Sequence, residues 1–206
     1  MRSDNWFNDP CEKLMRERVK DYLDSNTAAR ILAQHLDEIG VGIRPIVDHV
    51  TIRTLSVQES AKEFLKLGFV YDDKTGVLEY EDWWAKVYRK PGYPAVFIDQ
   101  AFDGKRGEKN VILPWVKMFT SKTFHHIAIQ VDDLELAVDR FKKLGIEFAG
   151  DIVGEKGSDL RQIFTKPDVK NGQPFTVLEV AERHRGYEGF LPPQANKLME
   201  STRLKK

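Results

Sequence analysis

Two stretches decide the reading: DHVTIRTLSVQESAKEFLKLGFVY at residues 48–71 and HHIAIQVDDLELAVDRFKKLGIEF at residues 125–148. They align without a gap at an offset of 77 residues, with His49 on His126, Ile52 on Ile129, Phe64 on Phe141 and Leu67-Gly68 on Leu144-Gly145. Internal repetition of this kind marks a duplicated supersecondary unit. Each copy opens with a β-rich run and passes into a helical one. Val57, Ala61, Phe64 and Leu65 in the first copy, and Leu134, Ala137, Val138, Phe141 and Leu144 in the second, recur at helical spacing and predict one buried stripe each. A glycine closes each helix, where a left-handed residue is needed.

Outward from the repeat, strands are expected at 69–71, 77–81, 84–89 and 95–99 in the first copy. In the second they are expected at 146–149, 160–165 and 175–181. Lys74-Thr75-Gly76, Pro91-Gly92 and Asn171-Gly172 are turn signals between them. Residues 10–40 read as two helices, with Asp9-Pro10 as a start, Ser25 or Asn26 as a second cap and Gly40 as a stop. The expected class is α+β: two tandem βαβββ modules forming a curved, partly closed sheet around a metal cavity. The expected division is an N-terminal helical segment at 1–45, a first module at 46–102, a linker at 103–122, and a second module with a closing helix at 123–206.

Strand side chains alternate between faces. His49, Thr51 and Arg53 share one face of the first strand, and His126, Ala128 and Gln130 share the equivalent face in the second copy. His125 then points the other way with Ile127 and Ile129. In the last strand Glu179 alternates against Leu178 and Val180. A buried carboxylate is costly unless paired or bound to a cation. Two imidazoles and a carboxylate facing one cavity therefore read as a metal site. That donor set with open positions is the pattern of non-haem Fe(II) oxygenases. A lone strand histidine is more often structural; repetition at one place in both copies is what lifts His49 and His126 above that reading. His125 competes with His126, and Glu182 or Asp99 could replace or join Glu179. Superposing 95–99 on 176–180 puts Ile98 in the place of Glu179. Arg53 is either half of a salt bridge or a clamp for a substrate carboxylate, and Gln162 could add a hydrogen bond. His35 and His184 read as ordinary surface or packing residues.

The composition sets bounds. The 206 residues carry 32 Lys+Arg and 32 Asp+Glu, so net charge recruits neither nucleic acid nor an anionic membrane. The single cysteine, Cys11, excludes an internal disulfide. Apolar runs are too short to span a bilayer, and MRSDNWFNDP lacks the order of a secretory signal. The expectation is a cytoplasmic protein with a small-molecule partner, its oligomeric state open, a homodimer included.

The paired motifs resemble the vicinal-oxygen-chelate superfamily, which includes glyoxalase I, extradiol dioxygenases and 4-hydroxyphenylpyruvate dioxygenase. HHIAIQVDD (125–133) is similar to the second-histidine motif of the last of these, and VLEVAERHRGYEGFLPPQANKLMEST (177–202) to its last strand and closing helix. A narrower resemblance is to the 2-oxoadipate dioxygenase/decarboxylase family, carried by DHVTIRT (48–54), by WWAKVYRKPGYPAVFIDQAF (83–102) and by the Gly189–Thr202 segment. The resemblance implies Fe(II), or another divalent metal, on His49, His126 and Glu179. It implies Arg53 on a substrate carboxylate; Gln162 and Phe190 are further candidates for the substrate site. The implied activity is an Fe(II)-dependent dioxygenase that decarboxylates and hydroxylates a 2-oxo acid such as 2-oxoadipate, with O2 as co-substrate. A glyoxalase-type lyase or isomerase, an extradiol dioxygenase and a non-catalytic binding protein are the other readings of the same scaffold.

Overall fold

The computed structural model describes residues 10–38, 47–131 and 133–202. Two helices come first, α1 (Pro10–Ser25) and α2 (Thr27–Glu38). The first repeat forms β1 (Val47–Thr54), α3 (Val57–Lys66), β2 (Val70–Tyr71), β3 (Val77–Glu79), β4 (Trp83–Arg89) and β5 (Ala95–Ala101). Helix α4 (Ile112–Phe119) follows. The second repeat forms β6 (Phe124–Gln130), α5 (Leu134–Lys143), β7 (Phe148–Val153), β8 (Leu160–Thr165), β9 (Asp168–Lys170) and β10 (Gln173–Arg183), and the closing helix is α6 (Pro192–Ser201).

The described strands make one open sheet in the order β2-β4-β5-β1-β6-β10-β8-β7, with β3 on β4 and β9 on β10. The order is a palindrome of the two repeats about the antiparallel β1–β6 pair. Within each half the first and last strands run parallel, β1 with β5 and β6 with β10. Parallel neighbours need a long crossover, and the helix and hairpins between them supply it.

The repeat extends to the helix caps. Ser56 accepts from the Glu59 amide and Asp133 from the Leu136 amide, at positions again 77 apart. Gly68 and Gly145 stand at φ +85° and +86°, the left-handed stop that glycine adopts without steric cost. Val57, Ala61 and Phe64 are buried as expected, and so are Leu134 and Val138. Leu65 and Leu144 are not: they are 48% and 47% exposed, because each sits on the shoulder of its stripe.

The outer face of the sheet is the main core. Val50, Ile52, Ile98, Ile127, Ile129, Leu178 and Val180 pack there under α1, α2, α3 and α5. The N-terminal helices are pinned where they meet: Asn26 caps α2 through the Ala29 amide at 2.8 Å and reaches Thr176 at 3.3 Å. Asp9 and Gly40, the expected start and stop of this segment, lie outside the described residues. The inner face carries an aromatic cluster that includes Trp83, Phe97, Trp115, Phe119 and Phe175. Much of it comes from α4, which folds within the 103–122 stretch read from sequence as linker. The sequence-based reading weighted its Gly and Lys and missed the apolar Ile112, Trp115, Val116 and Phe119, all buried. Strand β9 was missed as well, being only three residues long. No described helix is long and apolar enough to cross a membrane.

The stripe has a direct test. Phe64→Ala removes a ring that is 1% exposed and should cost about 3–5 kcal/mol in urea unfolding, whereas Leu65→Ala should cost under about 1 kcal/mol. Equal losses would mean that α3 is rotated from the orientation described.

Candidate metal centre

Three strands converge on one point of the inner face. His49 comes from the start of β1, His126 from β6 and Glu179 from the middle of β10. His126 Nε2 lies 3.3 Å and His49 Nε2 lies 3.6 Å from Glu179 Oε2. Their ligand atoms all fall within 4.8 Å of one another, the only such group of His, Cys, Asp or Glu among the described residues. All three side chains are buried, and Glu179 Oε1 has no hydrogen-bond partner. A buried carboxylate oxygen left without a partner beside two imidazoles fits a divalent cation.

The neighbours fix the rings. Asp48 Oδ2 accepts from His49 Nδ1 at 2.7 Å, which turns the Nε2 edge of the ring toward Glu179. Arg183 in turn grips Asp48 through Nε at 2.7 Å and Nη2 at 2.9 Å. His126 Nδ1 lies 3.0 Å from His125 Nδ1, and the Thr51 hydroxyl is 2.8 Å from His126 Nε2. Each metal-facing histidine thus has its Nδ1 partnered by the residue just before it.

The charges follow from this packing. Burial disfavours a charged ring at His49, but the carboxylates of Glu179 and Asp48 outweigh it and raise the ring to about 9. Burial pushes the Asp48 carboxyl up, yet His49 and Arg183 hold it well below the usual carboxylate range. Burial, with the positive charges of neighbours, keeps His125 and His126 neutral.

The expectation that His125 faces away from the cavity is corrected. In the β1–β6 ladder Thr51 pairs with His126 while Ile52 pairs with Phe124, so His125 is an extra residue on β6. This bulge breaks the alternation and lets both histidines line the cavity. A second correction concerns the first repeat. His126 pairs with Val177 and His49 with Ala95, so the residue corresponding to Glu179 is Phe97, not Ile98. Ile98 points into the outer core. The position holds no carboxylate in either register. Asp99 reaches the inner face by plain alternation, but it sits beside Arg53, outside the three-residue group. Glu182 is engaged elsewhere: it accepts from the Leu134 amide at 2.7 Å and pairs with Arg161 and His184.

The remaining expected site residues line the same cavity. Arg53 is 3% exposed, and its Nη2 donates to Met199 Sδ at 2.9 Å. Its guanidinium carbon is 5.7 Å from the centre of the Trp115 ring. Gln162 donates to Gln194 of α6 at 3.3 Å, and the Phe190 ring meets His49 edge-on at 5.1 Å. The space around the three ligands is about 40 Å³, bordered by Phe190, Leu191, Ala195, Leu198 and Met199. A cavity of about 190 Å³ lies beyond it under α4, with Arg53 and His125 shared between the two. Sequence reasoning missed Asp48, Arg183 and Tyr80, and turned His125 away from the cavity. The repeat alignment held a signal for Asp48, which falls on His125.

The family model of the glyoxalase/bleomycin resistance protein/dioxygenase superfamily matches residues 46–169. No curated protein sequence matches the chain. Among solved structures, a Shewanella frigidimarina protein provisionally named a hydrolase is 19% identical, with a TM-score of 0.72 over 89% of this chain and 98% of its own. A Ralstonia eutropha protein provisionally placed in the glyoxalase superfamily is 12% identical, with a TM-score of 0.68 over 84% of this chain and 82% of that one. A mutant 4-hydroxymandelate synthase from Streptomyces coelicolor is 20% identical, with a TM-score of 0.61 over 78% of this chain and 54% of that one. At such identities the likeness is one of fold.

Two outcomes are expected. His49→Ala and Glu179→Ala should each weaken binding of a divalent cation by about 100-fold or more while the protein stays folded, read by equilibrium dialysis and circular dichroism. Binding must also displace the His49 proton below pH 9, so calorimetry in two buffers should show about one proton released at pH 7 and affinity rising with pH up to that point. Proton-neutral binding would assign the cation to other groups.

Proposed function

The chain belongs to the glyoxalase/bleomycin resistance protein/dioxygenase superfamily, and from that membership we propose that it is an Fe(II)-dependent dioxygenase that decarboxylates and hydroxylates a 2-oxo acid. The observation that carries the proposal is the count of ligands: His49, His126 and Glu179 converge, and the fourth position of the duplicated scaffold is Phe97. A four-ligand cage suits a metal that only polarises its substrate; three protein ligands leave room for a chelating oxo acid and for O2. Iron held by these three residues would supply the redox chemistry, taking a 2-oxo acid and O2 to CO2 and the 2-hydroxy acid one carbon shorter. 2-Oxoadipate is the reference substrate.

The chain's own groups provide the rest. Asp48 and His125 hold the two imidazoles with Nε2 toward the cavity. Phe97, Phe164 and Phe190 make an apolar wall that excludes water from the oxidation. Arg53, on the same strand face as His49 and four residues further on, holds the far end of the acid, and Gln162 offers an amide toward it. Ala195, Leu198 and Met199 of α6 border the cavity, so α6 is placed to act as its lid.

The test is an oxygen electrode with Fe(II)-loaded protein and a panel of linear 2-oxo acids. O2 uptake and CO2 release should match one to one, and Glu179→Gln should lower kcat by about 100-fold or more. Arg53→Gln should raise KM by about 10-fold or more while leaving iron content unchanged. Uptake of O2 by none of the acids, alongside full iron loading, would move the protein to the lyase or isomerase reading.

A further inference from the structure

Four buried polar atoms with no hydrogen-bond partner belong to residues lining this cavity: Glu179 Oε1, Arg53 Nε, Asp99 Oδ1 and Tyr80 Oη. A cation accounts for the first. The other three form a separate set. Arg53 and Asp99 are paired residues of β1 and β5, and Arg53 Nε lies 4.0 Å from Asp99 Oδ2, beyond hydrogen-bond reach. Both are nearly inaccessible, at 3% and 1% exposure. Tyr80 is held flat against Trp83, with ring centroids 3.7 Å apart. A buried polar group without a partner has lost its hydrogen bonds to water and gained none, so unpartnered atoms on residues that line one cavity call for a ligand that satisfies them.

The chemistry of that ligand can be read from what is missing. Arg53 Nε can only donate, the Asp99 carboxylate can only accept, and the Tyr80 hydroxyl can do either. Burial lifts the Asp99 carboxyl to about 7 against the pull of Arg53, so it is ionised at pH 8. There the guanidinium and carboxylate charges cancel. A second substrate carboxylate would gain from Arg53 but meet the oxygens of Asp99 in a low-dielectric cavity, where like charges repel strongly. A primary amide satisfies both sides: its carbonyl accepts from Arg53 and its NH2 donates to Asp99.

We propose that Arg53 and Asp99 form the two halves of a neutral receptor, and that the substrate is a 2-oxo acid ending in a carboxamide rather than in a second carboxylate. The oxo-acid half of this statement rests on the function proposed above; the amide half rests on the unpartnered Arg53 Nε and Asp99 Oδ1. Taken alone, Arg53 points to a dicarboxylate. The buried acid beside it reverses that choice.

The experiment is calorimetric binding under nitrogen at pH 8, so that no turnover intervenes, with Fe(II)-loaded protein. 2-Oxoadipate is compared with its 6-amide, and 2-oxoglutarate with its 5-amide. The amide of at least one pair should bind about tenfold or more tightly than its acid. Asp99→Asn keeps the shape and removes the charge, and should invert the preference in favour of the dicarboxylate by a similar factor. Tighter or equal binding of the dicarboxylates by the unaltered protein overturns the inference and leaves the 2-oxo acid reading standing. A ratio that Asp99→Asn does not move also overturns it. Should no member of either pair bind the loaded protein, the 2-oxo acid reading fails and the inference fails with it. The ratio measured on the unaltered protein decides the matter even if the variant does not fold.

Discussion

A carboxylate stands in the middle of a sheet. Glu179 is 2% exposed, flanked by Ala128 on one neighbouring strand and Phe164 on the other, with one oxygen unpartnered. Such a charge has no way to water, and it would destabilise the fold by several kcal/mol unless a positive charge met it. The rest of the inner face is arranged around that requirement. Duplication brings two imidazoles to the carboxylate from the paired central strands β1 and β6. Asp48 and Arg183 extend the chain of alternating charge outward from His49 toward the surface, where Arg183 also binds the carbonyl oxygen of Gly189 at 2.8 Å. The segment that bears Phe190 is thereby tied to the same ion network as the ligand it covers.

The two halves share a backbone plan and divide the chemistry. Positions 48 and 125 both partner the Nδ1 of the histidine that follows, one as a carboxylate and the other as a neutral ring. Positions 97 and 179 correspond, and only the second carries an acid. Arg53 corresponds to Gln130 and Asp99 to Ala181, since each pair sits in register in its own half. The second half therefore supplies the anionic ligand, and the first supplies a charged pair further along the strand. These few differences give the cavity one end with two imidazoles and a carboxylate and another with the Arg53–Asp99 pair.

Much of the scaffold is legible in the residues because the constraints that set it are local. Helix caps, glycine stops and apolar spacing act over three or four residues, and they recur 77 positions apart with little change. The alternation rule also placed His49, Thr51 and Arg53 together, whereas Asp99 comes inward only once β1 fixes the register of β5. What escaped is set by pairing between strands. The extra residue at His125 exists only relative to β1, so no count along β6 alone reveals it. The same holds for Phe97 against Ile98: an offset within one strand becomes meaningful only when its parallel neighbour fixes the register. Helix α4 escaped for a different reason. Its buried side chains span about two turns of a short helix after a polar start, and its apolar face is required only because the inner face needs a cover.

Helix α6 completes the cover, and it is tied to residues that line the cavity. Gln194 holds Gln162, Asn196 accepts from the Trp83 indole at 3.3 Å, and Met199 offers its sulfur to Arg53. A thioether is a weak acceptor for a buried guanidinium. An oxygen acceptor on a bound ligand would make the stronger contact to Arg53, and Leu198 and Met199 of α6 border the same space.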